Sequence, residues 1–365
     1  GLAITQDNFM YTWMGDWSQK GGGGGGGKGA KGKGKAPPKG ADEGENAPPP
    51  NSCVSLKELQ GYDIVDVFCG PSKYLIATKQ GQLYSFNPSD EPVAVKREEV
   101  VDGLRVKRVV QALDGVDVSF VITADGQLYV WGDNGKNFIT GTQSVDPKRK
   151  LVEAPEKVPG LEEKKVKKVV CSGAHVLVLT EDGEVYTWGD GLLIGLGDKK
   201  PKQEATLNEN LAPAALREDG TEKVVDIHTN LTCCLALTSA GRVFAWGKGG
   251  DGCLGTADKK DLELPTEVVF AGGAEEGEGE EGTSGSDVIS QVRIGGKHCV
   301  ALGTKGVWGW GNNSEGELGL GADKTEAPVP VLIDYGLKLR GLKAVSVMAG
   351  ADYSAVMLPF EPEKK

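Results

Sequence analysis

An all-β protein built as a β-propeller is the fold class this sequence predicts, and three observations predict it. One phrase, an apolar run followed by a turn and an aromatic-ending strand, recurs along the chain. A small residue recurs ahead of most copies. Glycine makes up 55 of 365 residues, roughly twice average usage, as many tight turns require.

The clearest copy is "GAHVLVLTEDGEVYTWGDG", residues 173–191. Its relatives are "PSKYLIATKQGQLYSFNPS" from Pro71, "VDVSFVITADGQLYVWGDN" from Val116, "LTCCLALTSAGRVFAWGKG" from Leu231 and "GKHCVALGTKGVWGWGNN" from Gly296. The opening "AITQDNFMYTWMG" repeats the second half. The closing aromatics are Trp13, Phe86, Trp131, Trp188, Trp246 and Trp310, spaced from 45 residues (Phe86 to Trp131) to 73 (Trp13 to Phe86). The unit is therefore fixed while the loops between copies carry insertions.

Each segment of the unit has a local reason. Val166–Cys171 is an apolar stretch ending at a small residue; the small positions are Gly70, Gly115, Ser172, Gly295 and Gly350, with Asn230 the departure. Recurrence of small residues there predicts close approach of two backbones. Val176–Thr180 is rich in branched residues, suited to a strand buried on both faces. Asp182-Gly183, like Asp125-Gly126 and Gln80-Gly81, predicts a hairpin turn, with glycine supplying φ > 0. Val185-Tyr186-Thr187-Trp188 then alternates, placing Tyr186 and Trp188 on one face. Such three- or four-stranded units cannot bury their faces alone. Radial stacking into a propeller limits exposed edges; a linear β-solenoid is the rival, but its repeats are usually much shorter. One domain over 1–365 is expected.

The phrases at 172–198 and 295–321, the second ending in Gly316-Glu317-Leu318-Gly319, resemble repeats of the regulator of chromosome condensation (RCC1-like) family. That resemblance implies seven blades in the intact protein. It leaves the activity open, because the family contains nucleotide exchangers for small GTPases, ubiquitin-ligase modules, ciliary and mitochondrial proteins and plain scaffolds.

Two insertions interrupt the pattern. Residues 18–52, Gly/Lys/Pro-rich, have almost no apolar content and are expected to be disordered. Lys28, Lys31, Lys33, Lys35 and Lys39 form a basic string there, a candidate contact for nucleic acid or an acidic protein tail, with a soluble linker the simpler reading. Residues 272–287 are acidic and expected to be disordered too.

Composition narrows the function. A net charge of −11 argues against sequence-blind nucleic-acid binding by the whole surface, leaving only the Lys/Gly insertion for that role. No apolar run approaches the ~18 residues a spanning helix needs, so no membrane insertion is expected. Seven cysteines (53, 69, 171, 233, 234, 253, 299), odd in number and without C-x-x-C, point to a reducing, intracellular compartment, and the four in apolar strand-like runs read as buried small hydrophobes. His175 and His298 occupy one repeat position, which Lys73 and Cys233 fill in other copies, so their recurrence points to structure; His228 is the third histidine. No His or Cys pairs fall at zinc spacing, and Cys233-Cys234, adjacent in a strand, face opposite ways. No G-x-S-x-G, H-E-x-x-H or P-loop motif is present. The sequence thus predicts a protein that is not an enzyme, without cofactor or metal, acting as a protein–protein interaction scaffold. A guanine-nucleotide exchange factor with a small GTPase as partner is the alternative that the resemblance raises.

The two ends bear on closure. Ile4-Thr5 aligns with Leu179-Thr180 and Trp13 with Trp188, while Ser354–Leu358 takes the second-strand position after Gly350. Both ends then claim the same strand. Closure within the chain as given makes six blades; upstream residues would make seven, the expectation favoured here.

Overall fold

A computed structural model describes residues 2–4, 10–12, 54–55, 63–69, 74–86, 96–98, 101–111, 117–133, 139–142, 151–271, 286–321, 323–333 and 343–359. These form an all-β arrangement of antiparallel sheets taken in chain order. β1 (Leu2–Ile4), β2 (Met10–Thr12) and β3 (Val54–Ser55) make a three-stranded sheet. Five four-stranded sheets follow. The first holds β4 (Ile64–Cys69), β5 (Tyr74–Thr78), β6 (Leu83–Phe86) and β7 (Lys96–Arg97). The second holds β8 (Val106–Gln111), β9 (Val118–Thr123), β10 (Leu128–Asp133) and β11 (Leu151–Lys157). The third is β12 (Val166–Cys171), β13 (His175–Thr180), β14 (Val185–Gly189) and β15 (Lys202–Leu207). The fourth is β16 (Val224–Thr229), β17 (Cys233–Thr238), β18 (Val243–Gly247) and β19 (Leu262–Val268). The fifth is β20 (Ile289–Ile294), β21 (His298–Gly303), β22 (Gly306–Asn312) and β23 (Glu326–Leu332). β24 (Ser346–Ala349) and β25 (Ser354–Met357) close the series as a two-stranded sheet.

The first and last sheets are separate, each short of strands. Joined as one blade the ends would give six; as they stand, β24–β25 packs on the last of five complete four-stranded blades, and β1–β3 is a sheet of its own. After β15 the strands give way to a 3₁₀ turn (Glu209–Leu211) and α1 (Pro213–Leu216), which is begun by a proline whose missing N–H costs nothing at that position and buries Leu216 beside Leu211 under the fourth blade.

The core lies between blades rather than inside them, because each sheet is apolar on both faces. Phe120 and Val130 of the second blade pack with Val176, Val178 and Trp188 of the third. Leu177 and Leu179 face the other way, onto Ile227, Cys234 and Trp246 of the fourth. Cys233, Ala245 and Val268 in turn meet Val292, Trp308 and Trp310 of the fifth. This two-sided burial is why β9, β13 and β17 are buried at every residue.

The hairpin between the second and third strands differs from the two-residue turn its dipeptide suggests. Thr180 N donates to the Glu184 carbonyl at 3.0 Å and Gly183 N to the Thr180 carbonyl at 3.1 Å, so the loop has three residues and Gly183 alone has positive φ (+89°). The Thr180 hydroxyl accepts from Glu184 N at 3.1 Å, and Thr78, Thr123 and Thr238 accept the same bond from Gln82, Gln127 and Arg242. The threonine thus completes the turn.

The acidic insertion drawn as 272–287 ends sooner than that. Residues 272–285 lie outside the described residues, as do 18–52 with Lys28, Lys31, Lys33, Lys35 and Lys39, and Trp13, Gly70 and Gly115. Asp287, however, is buried. It accepts hydrogen bonds from the Thr304 and Lys305 amides (3.1 and 3.0 Å), the Thr304 hydroxyl and Trp308 Nε1 (2.8 Å). A carboxylate so fully solvated by the protein belongs to the fold, not to the loop.

Candidate functional site

The repeated residues converge on the joints between blades. Trp188 Nε1 donates to the Ile139 carbonyl at 2.8 Å, Trp246 Nε1 to Leu193 at 2.9 Å and Trp310 Nε1 to Cys253 at 2.8 Å. In every case the acceptor lies in the loop that follows the third strand of the preceding blade. Two residues on, a glycine in left-handed conformation (Gly141, Gly195, Gly255; φ +67°, +70°, +69°) lies flat against the same indole. Trp131 and Phe86 are also buried, Phe86 in an edge-to-face contact with Tyr74 at 5.2 Å.

Closer to the axis, the small positions carry a second fastener. Ser172, Asn230, Gly295 and Gly350 each donate their amide to the carbonyl three residues on, closing the turn between first and second strands. Gly296 N then reaches the Gly350 and Ala351 carbonyls at 3.2 and 3.0 Å, and a Cβ on Gly295 would sit 2.5 Å from the Gly350 oxygen. Asn230 replaces glycine by doing the same work with its side chain. Its Oδ1 accepts from Thr232 N, Thr232 Oγ1 and Cys233 N, while Nδ2 donates to Gly295 and Gly296 of the next blade.

The histidines belong to this layer. His175 Nδ1 lies 2.8 Å from Ser172 Oγ, and Nε2 lies 2.6 Å from Thr229 Oγ1 and 3.1 Å from Cys234 Sγ on the next blade. His298 Nε2 lies 2.9 Å from Ser354 Oγ, again on the next blade. Burial, with the Lys248 charge adding to it, lowers His175 to about 3, so it is a neutral imidazole at neutral pH. Burial likewise lowers His298 and pushes the Cys234 thiol to about 12.

The third position of each first strand faces the propeller axis, where a shared bulge between the first and third residues interrupts the register of all five complete blades. The residues there are Asp66, Arg108, Lys168, Asp226 and Gln291. Each of three reaches the neighbouring blade: Asp66 Oδ2 accepts from Val109 N at 2.9 Å, Lys168 Nζ donates to Asp226 Oδ1 at 2.6 Å, and Gln291 Nε2 donates to the Val345 carbonyl at 3.1 Å. Asp226 also takes His228 Nε2 at 2.9 Å and the Arg293 guanidinium at 3.6 Å. Burial works to raise the Asp226 carboxyl, but the His228 hydrogen bond and the neighbouring positive charge outweigh it and hold it well below the ordinary carboxylate range. Burial lowers His228, against the hydrogen bond to Asp226 that works to raise it. Beside this cluster lies a cavity of ≈ 300 Å³ lined in part by Asp66, Arg108, Lys168 and His228. Valines, Phe68 and Ile122 line much of the rest of the cavity, and within it Lys168 is paired with Asp226.

One grouping escaped the sequence. Cys233, Cys253 and Cys299 bring their sulfurs within 4.8 Å of one another, all buried. Local spacing could not show this, since the ligands come from two blades and a loop. The signal was in the repeat register: Cys233 stands at the His175 position, and Cys299 at the position of Cys234, which His175 contacts.

Blades fastened by an indole on a preceding loop and by an imidazole on a following strand define a β-propeller of one particular repeat class. The chain belongs to the RCC1-like domain family, whose profile matches residues 24–359. It is 32% identical over 277 residues to mouse E3 ubiquitin-protein ligase HERC2, covering 73% of this chain and 5% of that protein. It is 28% identical over 310 residues to the Arabidopsis thaliana ultraviolet-B receptor UVR8, covering 80% of this chain and 62% of the receptor. Among solved structures, human WBSCR16 superposes with a TM-score of 0.62 at 23% identity, over 85% of this chain and 76% of that one. This chain therefore spans a small part of the ligase and under two thirds of the receptor.

Proposed function

We propose that this chain is a non-catalytic protein–protein interaction scaffold, acting as an adaptor or subunit of a larger assembly. One observation carries the reading: among the described residues, the three histidines and Cys234 are committed to bonds at the blade joints. His175, His228 and His298 each bond across or along a blade joint, and Cys234 lies within the His175 contact. What remains for recognition is the set of loops carried by the packed blades, which is where binding residues on such scaffolds lie. The buried free thiols of Cys171, Cys233, Cys234, Cys253 and Cys299 support a reducing, intracellular setting.

Crosslinking of the 365-residue chain to co-purifying proteins, mapped by mass spectrometry, tests this. The reading expects stoichiometric partners joined through interblade loops, with deletion of 18–52 removing a subset if the lysine string recruits an acidic partner. Recovery of the chain free of any stoichiometric partner would count against it. Family membership favours a second reading, guanine-nucleotide exchange on a small GTPase, which the same preparation tests by nucleotide release.

A further inference from the structure

The cysteine grouping is best understood by comparing the same joint around the ring. Between the third and fourth blades the joint consists of His175, Cys234 and the Leu193 loop, with Cys234 Sγ 3.3 Å from the Leu193 carbonyl. Between the fifth blade and β24–β25 it consists of His298 and Ser354. Between the fourth and fifth blades every member is sulfur. Cys233 opens β17 in place of the histidine, Cys299 is the second residue of β21 in place of Cys234 or Ser354, and Cys253 takes the place of Leu193. Cys253 is held there by its own carbonyl, which accepts from Trp310 Nε1 at 2.8 Å and lies 3.5 Å from Cys299 Sγ.

We propose that this joint is a three-thiolate site for a monovalent copper ion. Three sulfurs about 2.3 Å from a common centre stand about 4 Å apart, inside the 4.8 Å within which these three lie. An all-sulfur donor set selects soft cations over hard ones. Zinc in a structural site takes four ligands, and among the described residues only these three converge. Ala245, Val268, Phe270, Ala301, Trp308 and Trp310 share the buried cluster with the three cysteines. A site that offers three sulfurs suits an ion content with three-fold coordination. Uptake releases one proton from each thiol that becomes a thiolate, with no change of oxidation state. The ion enters as the chain folds, since the sulfurs are closed off once the two blades meet, and it then pins those blades as His175 pins the preceding pair.

The test is Cu(I) competition against the chromophoric chelator bicinchoninate, using the whole 365-residue chain refolded anaerobically with reductant and Cu(I). The expected result is one copper per chain, a sulfur-to-copper absorption band in the ultraviolet, and three sulfur ligands in the copper X-ray absorption spectrum. Cys253→Ser should weaken copper retention by more than the ~10–100-fold that outer-shell changes cost. Cys171→Ser, at a different joint, should retain the full copper content. Near-UV circular dichroism checks that both variants fold. The wild-type chain decides the matter even if Cys253→Ser does not fold: a folded, reduced chain that yields all its copper to the chelator, or that holds one zinc ion in preference, overturns the proposal and leaves three cysteines packed as small apolar side chains.

Discussion

Replacing Gly195 with alanine separates the Trp–loop joint from ordinary backbone strain. Gly195 has φ +70°, and its new Cβ would lie 2.7 Å from Trp246 Nε1 and 2.8 Å from Cδ1. Gly220 has nearly the same φ, +66°, with no described atom within 4 Å of its would-be Cβ. Both variants carry the left-handed penalty of about 1–2 kcal/mol, partly offset by about 0.4–1 kcal/mol from a less flexible unfolded chain. Gly220→Ala should therefore cost about 1 kcal/mol. Gly195→Ala adds overpacking of about 1–3 kcal/mol and weakens the Trp246–Leu193 bond, itself worth about 1 kcal/mol. Gly255→Ala is intermediate, its Cβ meeting Val268 Cγ1 at 2.9 Å and the Trp310 ring at 3.2 Å. Urea unfolding followed by tryptophan fluorescence should rank the losses Gly195, then Gly255, then Gly220. Equal losses for Gly195→Ala and Gly220→Ala would refute the claim that the indole is seated on the preceding loop.

Other predictions follow from the same joints. His175 is held neutral with its pKa lowered to about 3 from 6.5. The unfolded chain therefore binds a proton that the native one does not, and stability is lost as pH falls below about 6.5, at up to ~1.4 kcal/mol per pH unit until about pH 3. His175→Gln should flatten the slope of urea midpoint against pH in that window; an unchanged slope contradicts the assignment. Asp226→Asn leaves Lys168 and Arg293 facing each other and should cost about 2–3 kcal/mol, discounted from fully buried pairs because Asp226 is part-exposed. That loss should persist in high salt, whereas Arg97→Ala, breaking an exposed pair with Asp102, should cost under about 1 kcal/mol. Asn230→Ala removes five hydrogen bonds and strands the Gly295 and Gly296 carbonyls; a denaturation loss of about 2–3 kcal/mol is expected.

What was legible in the sequence depended on which atoms carry the information. Trp188, Trp246 and Trp310 could be read as repeat markers because the side chain itself recurs, and the strands around them because apolar runs and Thr-x-x-Gly turns recur with them. Their acceptors, the carbonyls of Ile139, Leu193 and Cys253, could not, since a backbone oxygen leaves no residue type behind. Asn230 read as a departure from a small position, yet its amide spans the same gap that glycine leaves for the backbone. The Cys233–Cys253–Cys299 grouping was hidden for a different reason. Metal-site spacings assume local ligands, and a propeller brings together residues from different repeat positions a whole blade apart. Asp287 was assigned to an acidic loop by composition, and only its Thr304, Lys305 and Trp308 donors identify it as a buried anchor.

Fluorescent-GDP release from a panel of small GTPases tests the scaffold account most directly. With the 365-residue chain in excess, the account predicts release rates indistinguishable from those of each GTPase alone. Acceleration of about tenfold or more for any member, equivalent to about 1.4 kcal/mol off the release barrier, would contradict it and establish nucleotide exchange as the function.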